Sequence, residues 1–146
     1  METIRVTTME QLKACFAVRF NVFVDEQQVP AHLEMDEKDE SPEACHHFLI
    51  RDGEAPIATA RWYEYQPGMA KLQRVAVLKS YRGQSLGKRL IFAMEQQASE
   101  LGCQSAILDA QCQAEGFYSQ LGYVVISEEP FYDAGILHVR MKKHFS

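Results

Sequence analysis

The sequence predicts a mixed α/β fold, a sheet carrying helices, and three observations lead there. Apolar residues recur with two periods, alternating in some stretches and spaced by three or four in others. The two kinds of stretch succeed one another in the order β-α-βββ-α-β-α-ββ. The 146 residues, 47% hydrophobic and 24% charged, suit one globular domain over 1–146 and leave little room for two. A chain of this size buries roughly two-thirds of its unfolded surface and needs no staples.

Met1 to Val6 alternates like a strand. Thr7 or Thr8 can cap a helix immediately after it, with Gln11 three residues after Thr8 as in a capping box. Leu12, Phe16, Phe20 and Phe23 mark one apolar face of a helix reaching to about Asp25. Pro30 stops any continuation of it. Residues 34–43 are then strongly acidic, with only Lys38 in opposition. Such a run reads as a solvated loop, or as a rim that attracts a cation or orders a binding loop.

Three strands come next, His46 to Arg51, Ile57 to Tyr65 and Lys71 to Leu78, separated by turns at Asp52-Gly53 and Pro67-Gly68. Strict alternation puts Gln73, Val75 and Val77 on one face of the third, opposite Leu72, Arg74 and Ala76. Leu86, Leu90, Met94, Ala98 and Leu101 trace a helical stripe, and Gly102 fits the position just past its end. Ser105 to Ala110 lacks polar alternation and reads as a central strand. A short helix from Ala114 to Leu121 and two strands, Tyr123 to Ser127 and Gly135 to Met141, complete the chain. The last two are joined by a loop through Pro130 and Asp133.

Composition excludes several classes. A net charge of −5 argues against nucleic-acid binding by bulk electrostatics. No apolar run approaches the ~20 residues of a membrane span, and the N-terminus does not read as a signal peptide. The four cysteines, Cys15, Cys45, Cys103 and Cys112, form no C-x-x-C pair. They read as reduced, mostly buried thiols of a cytoplasmic protein. Cys45-His46-His47 is not a metal set, because consecutive strand residues point to opposite faces.

The most informative segment is Val75-Ala76-Val77-Leu78-Lys79-Ser80-Tyr81-Arg82-Gly83-Gln84-Ser85-Leu86-Gly87-Lys88-Arg89-Leu90. A buried strand enters a basic, glycine-containing loop, and the loop enters a helix. A helix N-terminus leaves about four N–H groups unpaired and carries partial positive charge, which makes an anion site. Arg82, Lys88 and Arg89 add charge, so the segment suits a diphosphate. A Walker loop does not fit, since Gly83 and Gly87 are too close and neither Ser nor Thr comes after Lys88. The dinucleotide fingerprint G-x-G-x-x-G is also missing.

The segment resembles the acetyl-CoA motif of the GNAT N-acetyltransferases, [R/Q]-x-x-G-x-[G/A], read here as Arg82-Gly83-Gln84-Ser85-Leu86-Gly87 with Ser85 in place of the middle glycine. Downstream, Ala114, Phe117, Tyr118, Gly122 and Tyr123 match the family's second motif, with Gln111 where Asn is common. The runs 18–27, 108–111 and 133–138 are similar to the small bacterial ElaA/YjcF-like branch. The resemblance implies the acyl-CoA N-acyltransferase fold, a mostly antiparallel central sheet of six or seven strands flanked by helices. It implies acetyl-CoA as co-substrate, no metal, and a small-molecule (or peptide) amine as acceptor. It implies no nucleic-acid or membrane partner, and it is compatible with a homodimer.

By the same resemblance, backbone groups of Val75, Ala76 and Val77 hold the pantetheine. N–H groups from Arg82 through Gly83, Gln84, Ser85, Leu86 and Gly87 to Lys88 take the pyrophosphate. Gln111 and Phe117 touch the cofactor, and Tyr118 stands where the general acid toward the departing sulfur usually does. The base is open between His138 and Glu26. Glu26, Arg61, Arg74 and Asp133 are candidates for the acceptor side, where the two arginines, on neighbouring strands, would meet either acids such as Glu26 or Asp36 or a carboxylate or phosphate on the acceptor. A CoA-binding sensor without turnover is the competing reading.

Overall fold

The computed structural model describes residues 1–145. Among them, eight strands form one open sheet: β1 (Glu2–Arg5), β2 (His46–Asp52), β3 (Ala55–Gln66), β4 (Met69–Val77), β5 (Ser105–Gln111), β6 (Val124–Val125), β7 (Phe131–Asp133) and β8 (Ile136–His144). Their order is β1-β2-β3-β4-β5-β8-β6, with β7 also paired to β8. Every pairing is antiparallel except β4 with β5. That parallel pair results from its connection, because a helix crosses over between the two strands. The helices are α1 (Met9–Arg19), α2 (Ala31–Glu34), α3 (Leu86–Glu100) and α4 (Glu115–Gln120). No helix among the described residues is long and apolar enough to cross a membrane.

The capping box at α1 forms: Gln11 N–H donates to Thr8 Oγ1 at 3.2 Å and Thr8 N–H to Gln11 Oε1 at 3.3 Å. The buried stripe of α1, however, is Leu12, Cys15, Val18 and Arg19 rather than the phenylalanines. Phe16, Phe20 and Phe23 flank it half-buried. From Phe20 to Glu26 the helix widens into π-type turns, with Gln27 N–H reaching Val22 O at 3.1 Å. The α3 stripe is Leu86, Leu90, Ile91, Met94 and Ala98, all buried. Each large apolar member contributes roughly 1.5–3 kcal/mol. Leu101, expected on that stripe, is 58% exposed, because the helix ends at Glu100 and Gly102 turns the chain away with φ +96°.

Two strand-level expectations change. Between Arg61 and Thr59 on β3, the partners on β4 jump from Gln73 to Ala76, so β4 carries a bulge with Arg74 at φ +56°. An extra residue in a strand reverses the facing of everything beyond it. Gln73 therefore faces Arg61 on the α1 side, whereas Val75 and Val77 pack toward the α3 core and Ala76 toward Val18 and Val22. Second, the connection through Pro130 contains β7. Ala134 (φ 51°) and Gly135 (φ 79°) form a two-residue hairpin turn with both φ values positive.

Half of the acidic run points inward, while Glu37, Glu40 and Glu43 are exposed as a solvated loop would have them. Glu34 and Asp39 are buried, and with Asp36 they are the counterions of Arg19 and Arg61. Burial alone would raise the Asp39 carboxyl, but the Arg19 hydrogen bonds and the charges of Arg19 and Arg61 outweigh it and hold it at about 2. This network straps the segment after α2 across the sheet.

Candidate active site

Pairing between β4 and β5 stops at Leu72 with Leu108. The bulge at Arg74 comes at once, and the two strands part. Between them opens a cleft of about 780 Å³. Its floor is β4 and β5; α3 and α4 wall one side, and the end of α1, α2 and the β7–β8 turn wall the other.

On the α3 side the contacts on offer are backbone ones. Leu78 N–H donates to Ile57 O on β3, so strand alternation turns the backbone groups of Val77 and Val75 toward the cleft. The loop Lys79–Tyr81 then leads into Arg82–Ser85 and α3. Among the described residues, the backbone N–H groups from Gly83 to Lys88 donate to no protein acceptor, and the first N–H taken up by the helix is Arg89, bonded to Ser85 O at 3.1 Å. Gly83 at φ +83° and Ser85 at φ +61° put two left-handed residues within this run of donors, the kind of backbone that forms anion-binding concavities. Ser85 makes no side-chain cap. A Cβ on Gly87 would lie 3.2 Å from Phe117 Cζ, so the absence of a side chain lets Phe117 of α4 close against the helix start. These features fit an acyl-CoA: acceptor-free N–H groups for a pyrophosphate and an unpaired strand edge for an amide-bearing chain.

Several expectations need correction here. Arg82 does not offer its N–H, which bonds Lys79 O at 3.3 Å. Its guanidinium donates to both oxygens of Glu26, at 2.6 and 2.8 Å, and to Val77 O at 3.0 Å. Arg82 thus pins the loop to the end of the first helix. Glu26 is consequently a poor base: the Arg82 hydrogen bonds hold its carboxyl below the usual range, and it does not line the cleft. Gln84 and Lys88 do not line it either. The Lys88 ammonium lies 5.6 Å from the Phe92 ring centre. Arg61 is 1% exposed and spends its donors on Gln73, Asp36 and Asp39, so it is no acceptor-binding group.

Tyr118 and His138 both reach the cleft. The Tyr118 hydroxyl makes no hydrogen bond to the protein among the described residues, and burial pushes its pKa up to about 12. His138 Nδ1 lies 2.7 Å from Ile136 O. A carbonyl only accepts, so Nδ1 carries the proton and Nε2 holds the lone pair. Phe131 stacks on the imidazole with ring centres 6.1 Å apart. Gln111 lines the cleft and donates to Gln27 Oε1 at 2.8 Å. Asp133 is an exposed rim residue of the same cleft.

The structure adds residues that sequence reading passed over. Phe23, Val29 and Leu33 form an apolar wall, while Lys71 and Asp109 line the floor. Asp109 accepts from Arg140 at 2.8 and 3.2 Å, across a register pair of β5 and β8. A single carboxylate inside the otherwise apolar run Ser105 to Ala110 was the available signal. The cysteines take no part. Burial raises the Cys15 and Cys45 thiols to about 11, which leaves them protonated.

Comparison with known proteins agrees with this geometry. Residues 7–145 match the family model described as an acetyltransferase (GNAT) domain. The chain is 43% identical over 143 residues to the uncharacterized N-acetyltransferase YjcF of Bacillus subtilis (strain 168), covering 98% of this chain and 99% of that protein. An acyl-CoA N-acyltransferase from Pseudomonas aeruginosa superposes with a TM-score of 0.81 at 26% identity, over 97% of each chain. Escherichia coli ElaA shares the fold with a TM-score of 0.84 at 23% identity, over 98% of this chain and 97% of that one. The cleft between β4 and β5, its donor-lined loop and these likenesses together assign the chain to the GNAT N-acetyltransferase family, in its small ElaA/YjcF-like branch.

Proposed function

We propose that this protein transfers the acetyl group of acetyl-CoA directly to the amine of a small molecule. The observation that carries the reading is the convergence on one cleft of Gly83, Ser85, Leu86 and Gly87 from the acceptor-free N–H run, the unpartnered Tyr118 hydroxyl and His138 with its lone pair on Nε2. Acetyl-CoA supplies an activated thioester when bound. N–H groups of Gly83, Ser85, Leu86 and Gly87 bind its pyrophosphate, and the cleft-facing groups of Val75 with the N–H of Val77 align its pantetheine as an added strand. The N–H groups of that edge are the donors available to the thioester oxygen. Nε2 of His138 takes the proton that the amine must lose to become nucleophilic. Tyr118, held protonated by burial, donates to the departing sulfur.

The test is release of CoA thiol from acetyl-CoA across a panel of amines, run beside calorimetric titration with acetyl-CoA alone. Binding together with amine-dependent release supports the reading. Binding with no release from any amine assigns the cleft to an acyl-CoA sensor, and no binding refutes the donor assignment.

A further inference from the structure

Three arginines meet where the acidic segment crosses the sheet, and one is unlike the others. Arg19 donates to Glu34 Oε2, the Glu34 carbonyl and both oxygens of Asp39, at 2.7–2.9 Å. Arg61 donates to Gln73, both oxygens of Asp36 and Asp39 Oδ1, also at 2.7–2.9 Å. The Arg74 side chain donates no hydrogen bond among the described residues. Its Nε lies 3.2 Å from Glu34 Oε2 and its Nη2 3.8 Å from Asp36 Oδ2. Those two oxygens are already the acceptors of Arg19 and Arg61. The Arg74 Nε is sealed from solvent without a partner. Burial is the largest influence on this guanidinium and disfavours its charge. A buried polar group left unsatisfied is costly, and so is the left-handed backbone that holds Arg74 at φ +56°. Of the three, only Arg74 lines the cleft.

We propose that Arg74 is a specificity residue of the acceptor side, and that the acceptor is an amine that also carries a carboxylate. This rests on the acyl-transfer reading above. The planar fork of a guanidinium matches a carboxylate in two parallel hydrogen bonds. A phosphate dianion would be repelled more strongly by Glu34 and Asp36, which stand within 3.2 and 3.8 Å of the same group. Lys71, with its ammonium 3.6 Å from Asp109 and lining the same floor, adds positive charge.

The experiment uses matched pairs that differ only in the carboxylate: ethylamine against alanine, propylamine against 4-aminobutyrate, phenethylamine against phenylalanine. Each is titrated into the CoA-loaded protein by calorimetry and assayed for thiol release from acetyl-CoA, with 2-aminoethyl phosphate as the phosphate arm. At least one carboxylated member should bind tenfold or more tighter than its partner. Arg74→Gln should erase that preference, and Arg74→Lys should keep part of it, with acetyl-CoA affinity unchanged in both. Equal binding within every pair, tighter binding of the phosphate, or a preference that survives Arg74→Gln would overturn the proposal. The calorimetric arm decides it even if no thiol is released, an outcome that would refute acyl transfer instead.

Discussion

On the α3 side of the cleft, recognition is offered by backbone: the N–H run from Gly83 to Lys88 and the unpaired edge of β4. On the α1 and α2 side it is offered by side chains, namely Arg74, Lys71, Asp109 and His138 above an apolar wall. Backbone donors are set by local conformation and are indifferent to most substitutions, which suits a ligand of fixed structure. Side chains drawn from β4, β5 and β8 can be exchanged one at a time, which suits selection among ligands. The two sides also differ in what stabilises them. The loop relies on Arg82 with Glu26, a half-exposed pair, whereas the α1 and α2 side hangs on the buried network of Arg19, Arg61, Glu34 and Asp39.

The largest effect is expected where the sides meet. Tyr118→Phe removes one unpartnered hydroxyl and keeps the ring, so stability and acetyl-CoA affinity hold while kcat falls by about 10²- to 10⁴-fold. Near-parental turnover would put proton delivery to the sulfur in water. Next comes Asp39→Asn, which breaks the network behind the α1 and α2 side. Removing one partner of such a buried set costs about 3–5 kcal/mol, read as a lower melting temperature. The same network dictates a pH response. The Asp39 carboxyl titrates at about 2 in the folded protein, below its unfolded value of about 3.9. Its stabilisation is therefore complete above about pH 4 and is lost as the pH falls toward 2. The melting temperature of the parent should drop through that window more steeply than that of Asp39→Asn.

Gly87→Glu strikes the other side. It drives a side chain into Phe117 and a negative charge toward the phosphate loop. Acetyl-CoA affinity should fall on the order of 100-fold by calorimetry, and by more than in Arg82→Ala. Unchanged affinity would break the assignment of the loop. The smallest effect is expected for Ser85→Gly. Ser85 sits at φ +61° without a capping bond, in a region that costs an ordinary residue roughly 1–2 kcal/mol. Glycine relieves that strain but adds freedom to the unfolded chain, for a net gain of at most about 1 kcal/mol and a melting temperature a few degrees higher.

The same contrast explains what could be read from sequence. The strand, loop and helix from Val75 to Leu90 are contiguous, and their geometry is set by residues a few positions apart. The resemblance at Arg82 to Gly87 therefore located the donor side, and the left-handed backbone at Ser85 explains why the family motif has glycine there. What escaped was set by distant partners. Pairing of Arg61 with Asp36 was among the alternatives the sequence left open, and it forms, but nothing near Arg61 announces Asp39, nor does anything near Glu26 announce Arg82, 56 positions away. The bulge at Arg74 reversed the facing predicted for Val75 and Ala76, because alternation has no means of signalling an extra residue. Strand β7 is only three residues long, too short to show a period of its own beside the Ala134-Gly135 turn.

The most direct measurement traces the acetyl group itself. The protein is incubated with acetyl-CoA carrying a ¹³C-labelled acetyl group and with the amine that gives the greatest thiol release, and both product and protein are weighed by mass spectrometry. Direct transfer predicts one labelled N-acetyl amine per CoA thiol released and no change in the mass of the protein. Thiol release without labelled amine, or a labelled protein that forms before the product and transfers its label to the amine, would contradict the account.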